Sequence, residues 1–241
     1  MLAARSHKGG LTGREWDPIN PRHGQKKLYV SCMSFQKKHH YVPEFYIKRW
    51  TQDDRKVSDF RRFRGVLKHQ RRFPSETGFE LELYSIRNHS DPERRQIIEK
   101  RLMSIIDNGA ARALDHMEVT GKPPDDVVHR NAWTRFLLSL IYRSPARIER
   151  LRQKIADNRD EVLASIASKY VDLRSEADPE TFEDYMKKNG GQIEESSLLP
   201  LLQNVIGSKL VGSALIKMTW GILLNNSPKY GFLTCDIPIM I

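Results

Sequence analysis

Two adjacent histidines, His39 and His40, and one late aspartate, Asp236, are the side chains whose types and settings could do chemistry. The histidines stand in "KKHHYVPEFYIKRW", just ahead of a Val-Pro step, and the aspartate in "TCDIP". A neutral imidazole can ligate zinc or another transition metal, or take a proton as a general base. Neighbouring residues of a strand point to opposite faces, so one ion rarely takes both rings; one histidine with the distant Asp236 makes a better pair. The plainer reading is structural. One imidazole then bonds a backbone carbonyl and holds the turn before Pro43, while Asp236 accepts backbone donors in an Asx-turn. Both readings stand at this level.

Charge points to a partner. Residues 1–35 carry 6 basic and 2 acidic side chains, residues 36–72 carry 12 and 4, and the rest 22 and 24. The whole positive excess of 10 therefore lies in the first third. Within it, Arg61, Arg62, Arg64, Lys68, Arg71 and Arg72 form a block interleaved with Phe60 and Phe63. Such a block attracts phosphate backbones or acidic surfaces, or is simply a solvated face.

Familiar catalytic signatures are missing. The chain has no CxxC pair, no HExxH, no GxxxxGK[ST] loop and no GxSxG elbow. "ELEL" supplies carboxylates without the lysine expected of a metal nuclease centre. Cys32 and Cys235 make neither a disulfide framework nor a metal knuckle and suit a reducing cytoplasm. The most apolar segment, 198–224, is interrupted by Lys209 and Lys217 and reads as a buried helix, so no membrane is expected among the partners.

Local patterns predict the elements that must position these residues. Residues 1–35 are rich in Gly, Pro, Lys and Arg without apolar period and predict a disordered extension, with Met33 as an alternative start. Residues 36–241 predict a single α+β domain, mainly α-helical with a small antiparallel β-sheet. "PEFYIKRW" reads as a short helix opened by Pro43 and Glu44. "KVSDFRRFRGVLKHQRRF" reads as one or two short strands joined near Gly65, and "FELELYSI" as a half-buried strand with Phe79, Leu81 and Leu83 on one face.

A long helix follows Ser90 or Asp91, with Ser90 and Glu93 as a capping box and Ile98, Leu102, Ile105, Ala110, Ala113 and Met117 on its apolar face. Gly109 weakens that helix unless close packing requires it. "NAWTRFLLSLIYRS" is a second apolar helix stopped or bent by Pro145. A narrower stripe then runs through Ile148, Leu151, Ile155, Val162 and Ile166. Residues 174–195 read as loop-rich, 197–217 as a last apolar helix, and "MTWGILLN" with "FLTCDIPIMI" as a hairpin about "NSPKYG". The chain stops at Ile241 inside an apolar run, and the expectation is a truncated product.

At "HHYVPEFYIKRW" the sequence resembles the opening of the bacterial domain-of-unknown-function family 4238. His39, His40, Tyr41, Val42, Pro43, Phe45, Tyr46, Arg49 and Trp50 match its pattern, with Ile47 for leucine. "ELELYSI", "IEKRLMSIIDNGAARAL" and "RFLLSLIYRSPARIERL" are similar to it as well. "GFLTCDIPIMI" resembles its Phe-Ile-Thr-Ser-Asp-Asn-Pro motif through Phe232, Leu233, Thr234, Asp236 and Pro238, with Cys235 for serine and Ile237 for asparagine. The likeness runs from about Lys37 to the end, short of the family's closing Pro-Leu-Ser-Pro segment.

The resemblance implies no established activity. It makes His39, His40, Thr234 and Asp236 signature positions, with Tyr46 beside them, and implies that the early motif packs beside a Phe232–Asp236 strand. Ile237 removes an amide the site would otherwise offer. Two functions follow as expectations. One is a cytoplasmic, nucleic-acid-associated, metal-assisted hydrolase. In it a histidine binds a divalent metal or acts as base, Asp236 binds that metal or orients the histidine, and Arg61 to Arg72 contact phosphates. The other is a non-catalytic binding module, or a nonfunctional truncated copy, in which the same residues only brace the fold.

Overall fold

The computed structural model describes residues 2–5, 37–87, 91–189, 196–225, 227, 229 and 231–239. Its order is β1 Leu2–Arg5, β2 Lys38–His40, α1 Glu44–Ile47, β3 Val57–Phe63, β4 Val66–Arg72, β5 Phe79–Leu81, α2 Pro92–Arg95, α3 Ser104–Thr120 and α4 Val127–Tyr142. Then come α5 Pro145–Asp157, α6 Arg159–Ser168, α7 Tyr170–Leu173, α8 Phe182–Asn189, α9 Leu198–Ile206, α10 Lys209–Lys217 and β6 Thr219–Ile222. The fold is α+β and mainly helical. Instead of one small sheet, the described strands form three antiparallel pairs, β1–β6, β2–β5 and β3–β4. Most of the extension expected to be disordered lies outside the described residues; Leu2–Arg5 is an extended strand on β6.

α3 and α4 make the central layer. α3 ends where Gly121 takes φ +64 and returns its N–H to the Met117 carbonyl, a left-handed stop that glycine adopts without penalty. After Pro123 and Pro124 the Asp126 carboxylate accepts the His129 N–H at 2.9 Å and starts α4. Gly109 packs closely on α4: a Cβ there would meet the Ala132 Cβ at 3.3 Å, and the neighbouring helix would have to give way by a few tenths of an ångström. Between the layers Leu102, Met103, Ile106, Ala110 and Met117 pack with Trp133, Phe136 and Leu140, joined by Ile148, Leu198, Leu202, Ile206 and Ile216. Each large side chain so enclosed contributes about 1.5–3 kcal/mol by leaving water.

α9 and α10 split the expected last helix at Gly207, and the Ser208 hydroxyl caps the second half by accepting the Val211 N–H. By length and composition Leu198–Lys217 is the one described segment that reaches what a membrane crossing needs. Its Leu198, Leu202, Ile206 and Ile216 turn into the core, while Leu210 and Val211 are exposed. Arg130 of α4 fastens it: the guanidinium donates to the carbonyls of Ile216 (2.8 Å), Met218 and Pro124, and lies 4.0 Å over the Trp220 ring.

Several local expectations change. β5 ends at Leu81, which is exposed, because Glu82 takes φ +54 and gives its N–H to the Lys37 carbonyl at 2.7 Å. The chain turns there, the two-residue period stops, and Leu83, Tyr84, Ser85 and Ile86 are buried in succession. The long helix after Asp91 is interrupted too. Asp91 caps α2 by accepting the Glu93 N–H at 2.8 Å; Ser90, the other half of the expected capping box, lies outside the described residues.

Residues Glu99–Met103 then form a wide π-turn before α3. That turn takes in one extra residue, buries Leu102 and Met103 together, and turns Ile105 outward (58% exposed) in favour of Ile106. Pro145 starts a new helix as its first residue, and a further break at Asn158 divides α5 from α6. The loop-rich reading of 174–195 misses α8; 190–195 lie outside the described residues. The C-terminal hairpin does not form. β6 pairs with β1, and 231–239 run without a strand, with Leu233 exposed and Pro238 offering no backbone donor.

Candidate functional site

The early motif is held from two sides. β2 pairs with β5 so that His39 faces Glu80 and His40 faces Phe79. Behind it, Phe45 and Tyr46 of α1 lay their rings on Phe136 of α4 at 5.3 and 5.8 Å, and Arg49 pairs with Asp115 and Glu118 of α3. The Gly78 carbonyl accepts the N–H groups of both Tyr41 and Val42 (2.8 and 3.1 Å), which sets the turn before Pro43. A Cβ on Gly78 would meet the Ile47 Cδ1 at 2.7 Å, and its φ is +66.

The two histidines face opposite ways, as a strand requires. His39 is fully buried. Its Nδ1 accepts the Tyr84 N–H at 2.9 Å, and its ring stacks on that of Tyr84 at 5.5 Å, nearly parallel. The accepting nitrogen carries no proton, so in the neutral ring the proton sits on Nε2. His40 is half-buried against Phe79. Burial holds its pKa below the ordinary value, against the pull of Glu44 and the Pro74 carbonyl and with the help of Arg143 and Lys38. Its Nε2 is enclosed without a hydrogen-bond partner among the described residues.

Asp236 reaches the motif through a tyrosine. The Tyr41 hydroxyl donates to its Oδ1 at 3.4 Å. Burial first, and the Asp236 charge second, push the Tyr41 phenol up to about 12. Tyr46 is raised by burial too, while the Thr234 side chain pulls it down and Cys235 adds to the rise. The two signature motifs therefore meet through the Tyr41–Asp236 hydrogen bond, with Thr234 near Tyr46. Among the described residues, no three His, Cys, Asp or Glu side chains converge as metal ligands.

A polar cluster beneath the motif is the feature that sequence reasoning missed. Arg143, with 1% of its side chain exposed, donates to both Asp107 oxygens (2.7 and 3.0 Å) and to the His40 carbonyl (2.9 Å). The Tyr84 hydroxyl donates in turn to the Arg143 carbonyl at 2.9 Å. Burial alone would lower the Arg143 pKa; the Asp107 carboxylate overrides it and raises it. Burial raises Tyr84 as well, against the Arg143 charge. Glu99 opens the π-turn beside them. Its carboxyl is pushed up to about 7 by burial, which outweighs Arg143 and is reinforced by Asp107. Its Oε2 is buried without a partner among the described residues. A single buried arginine thus ties the backbone of the histidine motif to α3 and the end of α4.

The basic block forms a two-stranded ribbon. Arg64 and Gly65 take φ +48 and +81, the two left-handed residues of a tight hairpin turn, and every residue from Val57 to Phe63 pairs with one from Arg72 to Val66. Its six candidate cations divide by partner. Arg71, at the root, is fixed by Asp54 (2.5 Å), Ser58 and the Lys56 carbonyl, while Arg72 at the root and Arg61 farther out share the one carboxylate of Asp59 (3.1 and 2.9 Å). Toward the tip, Arg62, Arg64 and Lys68 are exposed and have no carboxylate partner among the described residues. Phe63 lies beneath the Lys68 and Arg64 cations at 5.0 and 5.3 Å, and Phe60 stacks on His69 at 4.7 Å. More than half of each Phe surface is open to solvent.

These features define a mainly helical α+β protein that carries a basic β-ribbon beside a braced His-His-Tyr motif. Residues 38–241 match the family described as Protein of unknown function (DUF4238), and the chain belongs to that family. No curated protein and no solved structure matches it.

Proposed function

We propose that this chain is a nucleic-acid-binding module that grips the phosphate backbone with the distal half of the β3–β4 ribbon. The observation that carries the reading is the tip itself. Arg62, Arg64 and Lys68 are exposed around solvent-open Phe60 and Phe63 without a carboxylate to neutralise them among the described residues. A two-stranded ribbon fits a nucleic-acid groove, and exposed aromatics between cations serve as stacking surfaces.

Binding is favoured over hydrolysis by how the signature residues are used. The His39 Nδ1 is taken by the Tyr84 amide, and Asp236 is held by Tyr41, so neither is set as a base or orienting group toward the other. A catalytic role then falls to His40, whose Nε2 is enclosed without a hydrogen-bond partner among the described residues.

The test is the salt dependence of oligonucleotide binding. Each neutralised phosphate contributes a slope of about −0.9 on duplex DNA, or about −0.7 on a single strand, in log K against log salt. Arg62→Gln, Arg64→Gln and Lys68→Gln combined should flatten the slope by roughly 2 to 3. A wild-type slope near zero, or a triple variant with an unchanged slope, overturns the reading.

A further inference from the structure

A cleft of about 540 Å³ opens where the root of the ribbon meets the β2–β5 pair, lined by Lys38, Gln70, Arg71, Arg72, Glu76 and Phe79. It is shallow and open to solvent along most of its length. Its charge is positive. Asp59 serves two guanidiniums, Arg61 and Arg72, so one of those positive charges has no counter-charge in that trio. The one carboxylate on the wall, Glu76, is turned to the Phe73 N–H, which it accepts at 2.9 Å. The Lys38 ammonium reaches the Ser75 carbonyl at 3.3 Å and hangs 4.7 Å over the Phe79 ring. Lys38 is exposed, and Phe79 is only partly covered.

Resting on the nucleic-acid reading, we propose that this cleft takes one unpaired nucleotide of a single strand, its phosphate between Lys38 and Arg72 and its base on the Phe79 ring. The lysine and the ring then do two jobs in sequence. With the cleft open, the ammonium covers the aromatic face. When a phosphate arrives, the flexible lysine stem lets the charge swing onto it and bares the ring for stacking. The Gln70 Oε1 accepts from the Arg72 guanidinium, which leaves the Gln70 amide N–H groups on the same wall to donate to a base edge. A duplex keeps its bases paired and stacked on one another, so it cannot lay one on Phe79; an unpaired strand can. The ribbon tip supplies contacts to backbone in either form, and the cleft adds a preference for the single-stranded one.

Anisotropy titrations with a fluorescein-labelled oligo-dT strand and a duplex of equal length test the proposal on the full chain. Wild type should bind the single strand more tightly. Phe79→Leu and Lys38→Gln should each weaken oligo-dT binding by about tenfold and leave the duplex unchanged. Phe79→Trp guards against a folding defect in the leucine variant: it should keep the oligo-dT affinity and show emission quenched by the unlabelled strand. If Phe79→Leu and Lys38→Gln bind oligo-dT as wild type does, or Phe79→Trp shows no quenching, the cleft assignment falls. The ribbon reading survives that result when the tip variant still weakens both forms. A wild type that binds neither form removes both.

Discussion

Glu99→Gln should stabilise this protein at alkaline pH and do much less at acid pH. In the folded chain the Glu99 carboxyl is pushed up to about 7 from 4.5, chiefly because burial opposes the charged form. The proton is therefore held more tightly in the folded state. Its contribution is fully present below pH 4.5 and is lost as pH rises through about 7, after which the folded state carries the whole penalty of a buried charge. From those two values the penalty is about 1 kcal/mol at pH 5, about 2 at pH 6 and about 3 at pH 8.

Glutamine keeps the shape and never ionises. Urea unfolding of both proteins at pH 5, 6, 7 and 8, at constant ionic strength, should show the variant gaining by about 2 to 2.5 kcal/mol across that range. Other titrating groups, His40 included, cancel in the difference as long as their surroundings are unchanged. Asp107 stays paired with Arg143 in the variant, so the buried cation keeps its main partner. A difference between variant and wild type that is flat with pH would show that Glu99 is hydrated in the folded state and that burial is not what governs it.

Arg143→Gln should be far more damaging, since it leaves the Asp107 carboxylate and the His40 carbonyl without their donor. A loss of about 3–5 kcal/mol, or roughly 6 to 20 °C in Tm, is expected in a thermal scan, and a drop under about 2 °C would mean that water replaces the guanidinium. Gly78→Ala forces a Cβ onto the Ile47 methyl at a φ of +66. Equilibrium unfolding should show a loss above about 1 kcal/mol, and a neutral substitution would reject the close approach.

The parts legible from sequence are those governed by local rules. The glycine break at Gly65 foretells the ribbon turn, apolar spacing foretells α4, and the strand geometry of "HH" foretells the opposite facing of the two rings. The capping role of Asp91 is likewise local. What stayed hidden depends on partners distant in the chain. The π-turn at Glu99–Met103 leaves no mark in residue type, and it alone decides that Ile106 rather than Ile105 points inward. Arg143 and Glu99 look like the outer faces of amphipathic helices until the chain folds over them. His39 becomes a bracing residue only because the turn at Glu82 carries the Tyr84 amide to its ring. β6 finds Leu2–Arg5 instead of the following apolar run, a choice no nearby pattern records.

The Arg130 clasp sets a schedule for synthesis. The carbonyl it grips at Ile216 is made 86 residues later. At a ribosomal pace of roughly 5–20 residues per second, that is a wait of about 4–17 s. During it Trp133 and Phe136 lack the later helices that complete the core around them, and a chaperone has time to find them. Codon choice between α4 and α10 therefore governs how long the nascent chain is vulnerable, even though no residue there needs to change.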